Sequence, residues 1–96
     1  MSNDAGYLPR EELEDLLGQF WNWTAAFDPA GVTFGEFGLL FAVREQAILA
    51  QVPPNLQDWA RTLLRRTWEM ADDRGLMGPS DWNDRPILGP WPEDDA

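Results

Sequence analysis

Three residue types are missing from this chain: it contains no cysteine, no histidine and no lysine. Without cysteine there is no disulfide, no thiolate nucleophile and no thiolate ligand for a soft metal. Without histidine the side chain that exchanges protons most readily near neutral pH is gone. Without lysine, amine nucleophiles of the Schiff-base kind are gone as well. Positive charge of any kind is scarce, because seven arginines stand against 17 acidic residues, a formal charge of -10 on 96 residues. A surface of that sign disfavours direct binding to the phosphate backbone of DNA or RNA. Long apolar runs are absent too. None approaches the roughly 20 residues of a membrane span, and the start from Met1 to Tyr7 has neither the basic run nor the apolar core of a signal peptide. Nothing calls for an oxidising compartment, so the expected location is cytoplasmic.

What remains is apolar, aromatic and acidic. Hydrophobic residues make up 44% of the chain, with six Trp and five Phe, so a modest core is within reach and one domain is expected. The acidity is uneven. Residues 1–15 carry five acids against Arg10 and residues 76–96 five acids against Arg85, whereas residues 55–75 balance four acids with four arginines.

Periodicity and stop signals divide the chain into three amphipathic helices and a tail. The first is expected to begin at Pro9, a residue suited to the first helical position because it lacks an amide hydrogen. Glu11, Glu12, Glu14 and Asp15 then lie near the positive end of the helix dipole. Leu13, Leu16, Leu17, Phe20 and Thr24 follow a helical spacing, widened by Trp23 and Phe27. Gly18 weakens the helix but leaves room for a neighbour to approach closely. Asp28-Pro29-Ala30-Gly31 breaks it. The second start is better specified: Thr33 and Glu36 form a capping box, and Val32 and Phe37 occupy the positions of a hydrophobic staple. Its inner face is expected to run through Phe37, Leu40, Phe41, Ile48 and Val52, with the stem of Arg44 packed beside it and the head reaching water or an acid. Pro53-Pro54 ends that helix. Asn55 is the expected cap of the third, with Asp58 three residues on. Its stripe is Leu56, Trp59, Ala60, Leu63, Leu64, Thr67, Met70 and Ala71, with Trp68 at the edge, and Gly75 is its C-terminal stop.

The expected architecture is therefore all-α, a compact three-helix bundle over residues 9–75, preceded by a flexible lead (1–8) and followed by an irregular Pro-, Gly- and Trp-rich tail (76–96). The tail contains four prolines but also Trp82, Ile87, Leu88 and Trp91, so it is more than a solvated acidic linker. Those four either fold back over the small bundle or insert into a partner's groove, with the prolines limiting the entropy lost on ordering. Trp21 and Trp23 form a second candidate surface, since one helical face does not readily bury both together with Phe27. Self-association through the same aromatic surface is left open.

The charged residues suggest weaker chemistry. Glu11 shares a helix side with Glu14 and Asp15, but an acidic cluster in a first turn is explained by the dipole and by solubility, and catalysis is not expected. Asp81-Trp82-Asn83-Asp84 lacks the spacing of a calcium loop. No metal or cofactor is expected. Arg61, Arg65 and Arg66 make a compact basic patch, read first as local partners for Asp58, Glu69 or first-helix carboxylates, and only second as a dock for an acidic peptide or phosphate. The leading functional expectation is a small acidic adaptor, assembly factor or inhibitory subunit. It would bind another protein with a basic surface through aromatic anchors, steered by Asp4, Glu11, Glu12, Glu14 and Asp15. The alternative is a phosphate mimic, whose carboxylates occupy the basic surface of a DNA- or RNA-binding protein.

Overall fold

The computed structural model describes residues 7–88. Three helices, α1 (Arg10–Ala26), α2 (Phe34–Leu49) and α3 (Gln57–Asp73), form an up-down-up bundle. The starts of α1 and α3 meet where the Arg10 guanidinium lies over the Trp59 ring at 4.7 Å. Their ends meet where Arg74 reaches the last turn of α1. These two helices therefore run parallel and form the most closely packed pair, with α2 antiparallel against both. The inner residues of α3 are small, Ala60, Thr67 and Ala71 beside Leu64, which lets its backbone approach the larger Leu13, Leu17 and Phe20 of α1.

Each helix end has a recognisable cause. α1 has Pro9 as its N-cap rather than its first helical residue, and no side chain caps it there. At the start of α2 the capping box is complete: Glu36 N–H donates to Thr33 Oγ1 at 3.1 Å and Thr33 N–H donates to Glu36 Oε1 at 2.9 Å. Asn55 does not cap α3. It lies within a 3-10 turn, Pro54–Leu56, that runs straight into the helix, because the proline pair sets the approach before any side chain can act as a cap. The exit from α3 is a Schellman motif: Gly75 has φ 78°, its N–H donates to Asp72 O at 2.9 Å, and Leu76 N–H donates to Ala71 O at 3.0 Å. Leu76, the residue that such a motif turns inward, is fully buried.

Two C-termini are finished by α3 and its cap. Arg74 donates from Nη1 to Thr24 O at 2.7 Å and from Nη2 to Phe27 O at 3.1 Å, supplying the positive charge that the last turn of α1 lacks. Gln57 Nε2 donates to Val52 O at 2.9 Å, closing the turn after α2. On the other side Leu8, half-buried, donates its N–H to Gln51 O at 2.9 Å.

The core continues beyond Gly75. Residues 76–88 cross the N-terminus of α2, with a 3-10 turn at Ser80–Trp82 that follows Pro79 and has no side-chain cap. Phe34 N–H donates to Arg85 O and Gly35 N–H to Asn83 O, both at 3.0 Å, while Ile87 N–H donates to Val32 O at 2.9 Å. Thr33 and Pro86 form an isolated antiparallel bridge at the same place. Two helix amides that no intrahelical carbonyl can reach are thus satisfied by this strap. Gly35 makes the approach possible, since a Cβ there would lie 2.9 Å from Asn83 O. A Cβ on Gly78 would stand 3.1 Å from the Phe34 ring.

Candidate functional site

Aromatic residues of α1 and α2 interlock at the top of the bundle. Trp23 stacks on Phe37 with ring centroids 5.8 Å apart, and Phe27 meets the edges of both. Arg44 covers the Trp23 ring at 4.3 Å, so its head rests on an aromatic face instead of reaching an acid. Trp23 is therefore largely committed to internal packing. Trp21 is not: it points along the α1/α3 side of the bundle and is 42% exposed.

The tail residues divide in the same way. Ile87 is 7% exposed and belongs to the core, and Trp82 is half-buried against Phe34, with Arg85 over its ring at 4.6 Å. Leu88 is exposed. Trp91 and Asp4 lie outside the described residues. Glu11, Glu12, Glu14 and Asp15 are all exposed on α1, and Glu14 receives a hydrogen bond from Arg10 at 3.3 Å.

An apolar surface lies on the outer side of α2, a face to which the sequence pattern assigns no site. Leu39, Leu40 and Val43 are 67%, 43% and 60% exposed. Leu40 was expected inside; Phe34 occupies that side of the helix instead, because the strap closes over the first turn of α2 and makes an interior for it. The three aliphatic side chains form one strip, bounded by Glu36 a turn earlier and Ala47 a turn later. The available signal was the composition of α2, in which Glu36 is the sole charged residue among the ten positions from 34 to 43. A helix apolar all round has more apolar surface than one small bundle can cover.

Two clefts flank α3. The first, about 380 Å³, opens between α1 and α3 and is lined by Leu17, Gly18 and Trp21 facing Leu63 and Thr67, with Glu14 on the α1 side and Arg66 on the α3 side. The second, about 680 Å³ and open to solvent, runs between α2 and α3 past Leu49, Arg61, Arg65 and the exposed Trp68. The arginines that read as one basic patch are thus divided between two sides of the helix. Among the described residues, none of the three forms an ion pair within 4.0 Å; the pair present is Arg10–Glu14. The expected local pairing with Asp58 and Glu69 is not formed, since these are exposed charges on one helix, where such pairs gain little.

Among the described residues, no group of three or more acidic side chains gathers as a metal site, and no helix is long and apolar enough to cross a membrane. No protein-family model matches the chain, and neither a curated protein nor a solved structure is significantly similar to it.

Proposed function

We propose that this chain is a small, non-enzymatic protein-interaction module, an adaptor, assembly factor or inhibitory subunit, that docks through the outer face of α2. The exposure of Leu39, Leu40 and Val43 as one strip carries this reading. Scattered apolar residues on a surface need no explanation, but contiguous strips of large aliphatics mark places where another molecule excludes water. The formal charge of -10 would steer a partner whose docking groove is rimmed with basic residues, raising its encounter rate and making it salt-dependent. The exposed Trp21 and Leu88 are further anchors.

The test is a photoreactive residue placed at Val43 in the full chain, with cross-linking in the native host lysate and a Leu39→Glu variant as control. A discrete cross-linked protein, lost in the control while the fold is intact by circular dichroism, is the expected outcome. Cross-linking unchanged by Leu39→Glu would remove the α2 face from the reading. The exposed acidic start of α1 supports the alternative of phosphate mimicry. Release of the partner by added DNA or RNA, together with loss of binding on Glu11→Gln and Asp15→Asn substitution, would replace the first reading with that one.

A further inference from the structure

We infer that the cleft between α1 and α3 is a second docking site, made for an amphipathic helix of a partner protein. That helix would place a large apolar side chain over Gly18 and present lysine or arginine toward Glu11 and Glu14. The inference rests on the reading of this chain as an interaction module but concerns a different face. Its starting point is Gly18. The residue sits in the middle of a 17-residue helix, where glycine disfavours helix formation, and among the described residues no other element lies within 4 Å of the position its Cβ would occupy. The close neighbour that a mid-helix glycine would accommodate is therefore not part of the described chain. The missing side chain leaves open space along the α1 side of the cleft.

The surroundings state what fits. Leu17 and Leu63 line the cleft together with the exposed Trp21, so it favours an apolar group, and about 380 Å³ is ample for a Leu, Met or aromatic side chain. Helical spacing places Glu11, Glu14, Gly18 and Trp21 along one side of α1 at intervals of three and four residues, the register in which a second helix lies alongside. The acids occupy one end of that line and the aromatic the other; Glu14 is paired with Arg10 at 3.3 Å, and Glu11, Glu12 and Asp15 are exposed beside that pair, which leaves this end of α1 negative. A helix lying there meets negative charge near one end and apolar contact near the other, which sets where its basic and apolar side chains fall. Arg66, on the α3 side of the cleft, disfavours a base there and so places the partner's positive residues over α1.

The test titrates the ¹⁵N-labelled full chain with a synthetic peptide of about 18 residues, long enough to hold a helix, with leucines on one face and lysines beside them. A control peptide carries glutamates in place of the lysines. Saturable shifts centred on the Gly18 amide, the Trp21 indole and Leu63 are expected, with binding weakened about tenfold or more for the glutamate peptide. Gly18→Leu fills the cleft with a better helix former, so it should weaken the lysine peptide about tenfold or more while the melting temperature does not fall. Leu39→Glu should leave this binding unchanged, which separates failure here from failure of the α2 reading. Absence of saturable shifts at Gly18 and Trp21, indifference to Gly18→Leu, or shifts centred on Leu39 and Val43 would each overturn the proposal.

Discussion

The two sides of α2 carry the same kinds of residue and meet opposite fates. Phe34, Phe37, Phe41 and Ile48 are buried in the core, while Leu39, Leu40 and Val43 on the outer side remain in water. Intrinsic hydrophobicity does not separate the two groups; only what stands opposite them does. α3 provides the contrast, since its outer positions are filled by Asp58, Arg61, Thr62, Arg65 and Glu69, and its small inner residues leave no doubt about which side turns inward. A helix with strong contrast orients itself. One that is apolar all round is oriented by its neighbours, here the aromatic residues of α1 on one flank and the strap of residues 76–88 over its first turn. The outer aliphatics of α2 add little to the chain's own core, which is why the proposed docking site is placed there.

Substitutions on the two sides should break this symmetry of composition. The largest effect is expected from Phe37→Ala, which removes a fully buried ring touching Trp23, Phe27 and Phe41; urea denaturation should show a loss of about 3–5 kcal/mol. Gly35→Ala tests the strap. Its Cβ would meet the Asn83 carbonyl at 2.9 Å, backbone that has no easy way to retreat, and a loss of about 1–3 kcal/mol should appear, with hydrogen exchange of the Phe34 and Gly35 amides accelerated. If exchange there is unchanged, the strap does not hold the start of α2.

Thr33→Ala removes one half of the capping box and should cost about 1 kcal/mol by the same denaturation assay. Gly18→Ala should act in the opposite direction. It adds a methyl group in open space on α1 and should stabilise the chain by up to about 1 kcal/mol, read as a rise in melting temperature. A fall would mean that the cleft is closed in solution. The smallest effect belongs to Leu39→Ser on the outer side of α2, expected to leave stability within about 0.5 kcal/mol while partner cross-linking at Val43 declines. A stability loss comparable to that of Phe37→Ala would erase the distinction between the two faces.

Much of the local structure was legible in advance because it rests on near-neighbour chemistry. The Thr33–Glu36 box and the Gly75 stop each require only residues within one turn of a helix end, and both form as their spacing predicts. The buried stripes of α1 and α3 follow the 3.6-residue period for the same reason. Legibility failed where the deciding partner is distant in sequence. Nothing near Leu40 signals that it turns outward, because Phe34 is covered by residues about fifty positions later. Nothing near Arg74 announces that it finishes a helix whose last residue is Ala26.

Composition alone determined that the chain would be acidic, free of cysteine and histidine chemistry, and apolar enough for a small helical core, since these are sums over residues that no arrangement can alter. Periodicity, the proline and glycine stops and the one capping box at α2 determined where the helices lie, because those interactions close within a few residues. Which apolar groups were left over was decided only by the tertiary structure. A three-helix bundle has a finite interior, and long-range packing assigned Ile87 and Phe34 to it while leaving Leu39, Val43, Trp21 and the space above Gly18 at the surface.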